Sequence, residues 1–104
     1  MTTKKRKEDA YAMIERKYGR LTVAQLLHAW RTADEISQVD FAKKLKISVQ
    51  SLCDLEKGRR IPSPARAAKI AKAIGYHEVA LIQLALQDSL YADGFKLKVT
   101  LEGA

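Results

Sequence analysis

The chain has few of the features that define a catalytic, metal-binding or membrane protein. It contains one cysteine, Cys53, so no disulfide can form within the chain, and a cytoplasmic location is predicted. No apolar run reaches the roughly 18–20 residues of a membrane helix, and no apolar segment follows the N-terminal cations as in a secretion signal. The two histidines lie far apart, and the chain has neither a glycine-rich phosphate loop nor a metal-spaced cluster. We therefore predict no enzyme activity, no cofactor, no metal site and no membrane span.

Cations outnumber anions in the first three quarters of the chain, and the reverse holds in the last quarter. Residues 1–20 have seven cations and three anions, residues 21–60 seven and five, residues 61–76 three and none, and residues 77–104 two and four, for a net charge of +7. A hydrophobic content of 47% over 104 residues is enough for one small domain with a core. The uneven charge favours a polyanion partner for the basic part and a protein partner for the acidic part, although a merely soluble basic surface would have the same composition.

Residues 37–60, SQVDFAKKLKISVQSLCDLEKGRR, form the most regular pattern in the chain. Ser37 and Ser48 each precede a short helical repeat of apolar residues, as N-caps do, and Gly58 ends the second repeat. The bulky apolar residues of the second repeat, Leu52 and Leu55, follow its first turn. The first turn, residues 49–51, is therefore free to face a ligand. The pattern predicts two short helices joined by a tight turn and followed by cations, which suits a DNA groove flanked by phosphates.

This stretch and its surroundings resemble the Xre-like (lambda-repressor-like) helix-turn-helix DNA-binding family. The resemblance spans residues 22–76 and rests on the order and spacing of Arg31, Ile36-Ser37-Gln38, Phe41-Ala42, Leu45, Ile47-Ser48, Leu52, Leu55-Glu56, Gly58 and Pro62-Ser63-Pro64. It implies an all-α fold, a five-helix lambda-repressor-like domain whose recognition helix, residues 48–57, enters the major groove of double-stranded DNA. Small members of the family include phage-type repressors and antitoxins, so the resemblance also implies a bacterial or phage-type, nucleoid-associated protein.

In the family, the capped first turn of the recognition helix contains the base-reading side chains. Carried over to this chain, the expected base contacts are Val49, Gln50, Ser51 and, one turn on, Asp54. Gln50 can make paired hydrogen bonds to adenine, Ser51 can serve a base edge or a phosphate, and Val49 can only touch a thymine methyl. Because Asp54 would repel phosphate, it is expected to face a base amino group, a cation or solvent, of which solvent is favoured.

The resemblance also implies phosphate contacts and one structural ion pair. The expected phosphate contacts are Gln38, Ser48, Lys57, Arg59, Arg60 and, more weakly, Lys43; for Gln38 the alternative is an exposed glutamine at the start of its helix. The expected ion pair joins Arg31 to Glu56 and orients two helices more reliably than it stabilises them. Lys46 departs from the glycine usual in the family's turn. Either the turn is reshaped, or the fold tolerates a lysine with positive φ at a cost of about 1 kcal/mol.

The chain is predicted to divide into three regions. Residues 1–21 comprise a basic arm, MTTKKRKE, and a short N-terminal helix over residues 9–18; the arm either follows a phosphate backbone or is a solvated tail. Residues 22–76 form the helix-turn-helix DNA-binding domain, whose last helix begins with Pro64 and ends at Gly75. Residues 77–104 form a dimerisation helix plus a C-terminal strand.

The helix predicted over residues 77–93 is more apolar than one buried face requires. Its apolar residues form two adjacent stripes, which predicts burial against both the core and another subunit. Residues 96–101 alternate polar and apolar side chains and predict a short β-strand. A single strand cannot form hydrogen bonds to its own backbone N–H and C=O groups. We therefore expect it to pair with the same strand of a second copy in a twofold homodimer, or with the sheet edge of another protein. The expected dimer interface comprises Val79, Ile82, Leu86, Leu90, Leu97, Val99 and Leu101.

Together these features predict a dimeric, sequence-specific transcriptional regulator that binds a near-palindromic operator and represses by occupying it. Its two recognition helices would meet successive major grooves about 34 Å apart. The alternative is an antitoxin-type protein-interaction module whose C-terminal helix and strand bind a toxin or another protein. RNA or ribosome binding would fit the charge but would not require the ordered caps at Ser37 and Ser48.

Overall fold

The computed structural model describes residues 20–103, which contain five α-helices and no β-strand. The predicted all-α class is confirmed. The helices are α1 (Val23–Ala33), α2 (Gln38–Leu45), α3 (Val49–Glu56), α4 (Pro64–Ile74) and α5 (Glu78–Ala92). The predicted basic arm and the helix over residues 9–18 lie outside the described residues. Within the described residues, every helix is too short or too polar to cross a bilayer.

Each helix begins where a polar side chain accepts a hydrogen bond from a backbone amide that has no partner inside the helix. In every case the cap residue accepts from the amide three positions later, and the five caps are Thr22, Ser37, Ser48, Ser63 and His77. The chain leaves α4 through Gly75, whose φ of 77° is left-handed and costs glycine little. The helix boundaries are therefore set by local residues.

The core is formed by the apolar faces of all five helices. Its largest fully buried side chains are Phe41, Leu26, Leu27, Leu52, Leu55, Ile70 and Leu81. Helix α3 packs against α1 and α2, whereas α4 packs against α2 and α5. Since α1 and α2 cover the leucine-bearing side of α3, the other side of that helix is left at the protein surface.

Two adjacent buried polar residues on α5, Gln87 and Asp88, connect distant parts of the chain. Asp88 accepts a hydrogen bond at 2.8 Å from the backbone amide of Val23, the first residue of α1, and it forms an ion pair with Arg20. The Arg20 guanidinium also lies 4.5 Å from the centre of the Tyr91 ring. Because a carboxylate at a helix N-terminus interacts favourably with the helix dipole, Asp88 anchors the start of α1 to α5.

The predicted strand over residues 96–101 is not found; residues 95–103 form neither helix nor strand. The described chain offers no second strand with which this segment could pair, and a side chain satisfies part of its backbone instead. The Gln87 amide donates through Nε2 to the carbonyl of Leu97 at 2.5 Å and accepts through Oε1 from the amide of Val99 at 2.7 Å. The segment is therefore held against α5 by one glutamine rather than by a β-ladder.

The residues predicted at a dimer interface are all at least partly exposed in the single chain. The α5 stripe that includes Leu81 and Ala85 faces the core, where both side chains are fully buried. The other stripe is less buried: Val79 is exposed, Leu86 and Leu90 are half-buried, and Ile82 is half-buried and packs against the core. In the segment after α5, Leu97 is exposed and Val99 and Leu101 are half-buried. Some apolar side chains of α5 are therefore buried in the core, and the others remain at least partly exposed at the surface.

Candidate nucleic-acid interface

The turn between α2 and α3 determines where α3 begins. Lys46 ends α2 in the left-handed conformation, with φ 59° and ψ 42°, so the fold tolerates a lysine with positive φ. The Lys46 amide donates to the carbonyl of Lys43 at 3.1 Å, and the Ile47 amide donates to the carbonyl of Ala42 at 3.0 Å. These hydrogen bonds close the end of α2, and Ser48 caps α3 directly afterwards.

The first turn of α3 presents three different side chains in a row. Val49 is 41% exposed, Gln50 is exposed and Ser51 is half-buried, while the leucines of α3 are buried in the core. The Ser48 hydroxyl accepts from the amide of Ser51 at 3.0 Å and donates to the hydroxyl of Ser51 at 2.9 Å. Ser51 therefore keeps its own hydroxyl proton for an outside acceptor. The turn offers an apolar group, an amide and a hydroxyl to a ligand.

The Asp54 carboxylate faces a cation, not the solvent that the sequence favoured. Its Oδ1 accepts hydrogen bonds from Nε2 of Gln50 at 3.1 Å and from Nε of Arg59 at 3.0 Å. The hydrogen bond from Arg59 lowers the pKa of the Asp54 carboxyl below its usual range, and the same contact raises the pKa of Arg59. The backbone carbonyl of Asp54 also accepts from the amides of Arg59 and Arg60, at 2.9 and 3.3 Å. Asp54 thus links the exposed turn of α3 to the loop after the helix.

Glu56, the last residue of α3, connects that helix to α1 and α2. Arg31 donates to both carboxylate oxygens, from Nε at 2.9 Å and from Nη2 at 3.0 Å. His28 Nδ1 lies 3.1 Å from Oε1, and the Gln38 amide donates to the same oxygen at 3.5 Å. Burial would raise the pKa of the Glu56 carboxyl, but the hydrogen bonds from Arg31 and His28 outweigh it and lower the pKa. The carboxylate is thus ionised at neutral pH and fixes α3 relative to α1.

The residues predicted to contact phosphate differ in how they are held. Among residues 20–103, exposed cations that form no ion pair include Lys43 on α2 and Lys57 and Arg60 after α3. Arg59 is exposed too, but its guanidinium is paired with Asp54. The Gln38 amide is half-buried against Glu56, and the Ser48 hydroxyl is engaged by the first turn of α3. Free cations therefore occur both before and after the exposed turn.

One residue of these clusters, His28, and one contact, between Gln50 and Asp54, were missed from the sequence. His28 was considered only as a metal ligand, yet it lies three residues before Arg31 on the same side of α1 and contacts the same carboxylate. Gln50 and Asp54 are four residues apart on one helix, a spacing that brings side chains together and was a usable signal. Within residues 20–103, the His, Cys, Asp and Glu side chains form no group of three or more that could hold a metal ion.

Comparison with known proteins agrees with this geometry. The family described as helix-turn-helix matches residues 27–81, slightly more than half of the chain. The match contains α2, α3 and α4 entirely, and it includes both residues of the Arg31–Glu56 pair. No curated protein and no solved structure matches the chain. From the extent of the family match and the arrangement of α2 and α3, the chain belongs to the Xre-like helix-turn-helix family of DNA-binding regulators.

Proposed function

We propose that this protein is a sequence-specific transcriptional regulator that inserts α3 into the major groove of duplex DNA. The supporting observation is the first turn of α3, where Val49 and Gln50 are exposed and Ser51 beside them is half-buried, on a helix whose opposite face is buried. An α-helix fits the major groove, where each base pair presents a distinct set of donors, acceptors and methyl groups. A capped helix fixed at its far end by Glu56 holds those side chains in a constant orientation.

The cations near α3 would hold the protein on the DNA backbone. We assign phosphate contacts to Lys43, Lys57, Arg59 and Arg60, and, at the starts of α2 and α3, to Gln38 and Ser48. Each cation that neutralises a phosphate adds about 0.9 to the slope of log affinity against log salt concentration. The base-reading turn would then supply selectivity, and the cations would supply affinity that does not depend on sequence.

We further propose that the regulator is a homodimer that represses by occupying a near-palindromic operator. The support is an apolar surface that the core does not use: Phe95 and Leu97 are 54% and 58% exposed, and Val79 and Tyr91 are exposed as well. Exposed apolar groups in such number are typical of a protein interface. We assign the interface to side chains of α5 and of residues 95–101. A twofold dimer would place its two α3 helices in successive major grooves about 34 Å apart.

The proposed function is tested by measuring DNA affinity at physiological salt. Fluorescence anisotropy would compare a duplex from the region upstream of the protein's own gene with a scrambled duplex of the same composition. We expect the natural duplex to bind about 10³-fold more tightly or better, the range of specific over non-specific binding. Equal affinity for the two duplexes would contradict the proposal.

Replacing Gln50 and Arg59 separately by alanine is expected to give two different kinds of defect. Gln50→Ala should remove preference at one base position, a loss of about 1–3 kcal/mol of discrimination. Arg59→Ala should weaken binding to every sequence and reduce the salt slope by about one unit. Both variants would be titrated against specific and scrambled duplexes at several salt concentrations. Lys72→Ala, which removes an exposed cation of α4 that is also paired with a carboxylate, Glu78, is the matched control and should leave the slope unchanged. If the two substitutions act identically, the assignment of the base-reading turn is wrong.

The same exposed apolar surface also favours a second candidate function, an antitoxin-type module that binds a toxin or another protein. The two candidate functions predict different oligomeric states for the isolated protein. Light scattering on the purified chain would report a dimer if the surface is the homodimer interface. A monomer that forms a stoichiometric complex with the protein encoded beside it would support the second candidate instead.

A further inference from the structure

A single carboxylate oxygen on the exposed side of α3 holds two side chains that we assign to different parts of the DNA. Asp54 Oδ1 accepts from the amide of Gln50 at 3.1 Å and from the guanidinium of Arg59 at 3.0 Å. Gln50 is assigned to a base and Arg59 to a phosphate. Asp54 is therefore placed to influence both base selection and backbone affinity, and the inference drawn from it rests on the proposed DNA-binding function.

The contact with Asp54 determines which way the Gln50 amide points. An ionised carboxylate can only accept hydrogen bonds, and only the nitrogen of the amide has hydrogens to donate. The opposite orientation would bring the amide oxygen against the carboxylate, with two acceptors in contact. Nε2 therefore faces Asp54, and the groups that remain for a ligand are the Oε1 acceptor and the second N–H of Nε2.

This pair of free groups matches one purine and conflicts with the other. Adenine presents the N6 amino donor and the N7 acceptor in the major groove, which pair with Oε1 and with the free N–H of Gln50. Guanine presents two acceptors, N7 and O6, so one of them would meet the Oε1 acceptor. A Gln50 side chain released from Asp54 could rotate and donate both of its N–H groups to guanine. The contact with Asp54 thus favours adenine over guanine.

The charge of Asp54 affects the affinity for DNA of any sequence, not the preference for one base. The Asp54 carboxylate neutralises part of the positive charge that Arg59 would offer to a phosphate, and it carries its own negative charge near the DNA backbone. Both effects oppose the approach of any duplex, whatever its sequence. We propose that Asp54 is a positioning residue that raises selectivity in two ways: it orients Gln50 for adenine, and it reduces the affinity for non-specific DNA through Arg59.

Two substitutions of Asp54 separate these roles. Asparagine keeps a carbonyl oxygen that can accept from Gln50 but has no charge, whereas alanine removes both the acceptor and the charge. Wild type, Asp54→Asn, Asp54→Ala and Gln50→Ala would each select binding sites from a random duplex library, and scrambled-duplex affinity would be measured at several salt concentrations. The position of the selected motif at which Gln50→Ala loses its base preference is the position that Gln50 contacts. Asp93→Ala, which removes an exposed carboxylate after α5, is the matched charge control.

We expect Asp54→Ala to lose about tenfold of the adenine-over-guanine preference at that position, the scale of one well-formed base contact. Both Asp54 variants should bind scrambled DNA more tightly, with a salt slope about one unit steeper, and Asp93→Ala should not. Asp54→Asn should retain more of the adenine preference than Asp54→Ala, because its carbonyl oxygen still accepts from Gln50, although its amide nitrogen can also donate to Oε1. An unchanged adenine-to-guanine ratio in Asp54→Ala, beside a wild type that selects a clear motif, would overturn this inference and leave the proposed function standing. A wild type that selects no motif would overturn both. Thermal melts of each variant would establish that it is folded, and Asp54→Asn, which differs least in shape, still tests the charge role if the alanine variant does not fold.

Discussion

Replacing Glu56 by alanine is expected to lower the free energy of unfolding by about 3 kcal/mol, the scale of breaking a buried ion pair. The Glu56 side chain is 3% exposed and accepts two hydrogen bonds from Arg31, which is itself 16% exposed. Removing the carboxylate leaves the Arg31 guanidinium without its partner in a poorly solvated place, and it also disconnects α3 from α1. Urea unfolding at pH 7, followed by circular dichroism, would measure the loss.

A matched control for this substitution is Glu78→Ala. Glu78 also forms an ion pair, with Lys72 at 3.7 Å, but both side chains are exposed. An exposed pair of this kind contributes about 0–1 kcal/mol, so the control should change stability little. If the two alanine variants lose stability equally, the hydrogen bonds around Glu56 are not what holds α3 to α1.

The stability contributed by Glu56 is also expected to depend on pH in a defined direction. The pKa of Glu56 is lowered from its ordinary value of 4.5 in the folded protein. Its ionised form therefore stabilises the fold fully above pH 4.5, and that stability is lost as the pH falls through the lower, folded-state value. Glu56→Gln has no carboxylate to titrate, so the difference in stability between wild type and this variant should shrink below pH 4.5. A difference that stays constant from pH 7 to pH 3 would contradict this explanation. Urea unfolding at a series of pH values would measure it.

The helices were predictable because their signals are local. A cap such as Ser37 accepts from an amide three residues later, and the apolar residues that follow recur at helical spacing. The short range of these interactions explains why the caps Ser37 and Ser48, the two helices that follow them and the free first turn of α3 could be predicted from the sequence. The Arg31–Glu56 contact joins residues 25 positions apart, and only the family resemblance implied it.

The features that escaped prediction depend on partners elsewhere in the fold. The alternation in residues 96–101 predicted a strand, but a strand needs a neighbour, and the described chain provides the Gln87 side chain instead. Asp88 accepts a hydrogen bond from the first amide of α1, 65 residues earlier in the sequence. A local sequence pattern cannot predict a contact over that separation. A usable signal was the Gln87-Asp88 pair itself, two adjacent polar residues in a helix that is otherwise strongly apolar.

Replacing Phe95 and Leu97 together by serine is expected to convert the proposed homodimer to a monomer and to reduce affinity for a full operator by about 10²–10⁴-fold. The reason is that two linked α3 helices bind two half-sites with a high effective concentration, which a monomer lacks. Both side chains are more than half exposed, so the single chain gains little from burying them and should remain folded. Light scattering would measure the mass, and anisotropy would measure the affinity for the operator selected by the wild type.

The half-site provides the internal control for this prediction. A duplex with one half-site engages a single α3 helix, so its affinity should be the same for wild type and for the double variant. Val39→Ser, which removes an exposed valine of α2 remote in sequence from α5, should leave the mass unchanged and controls for the general loss of apolar surface. If the double variant remains dimeric, or if affinity falls equally for the half-site, then Phe95 and Leu97 do not join two copies. A fall in half-site affinity would mean that the segment after α5 supports the DNA-binding domain itself, because α5 packs on both α1 and α4.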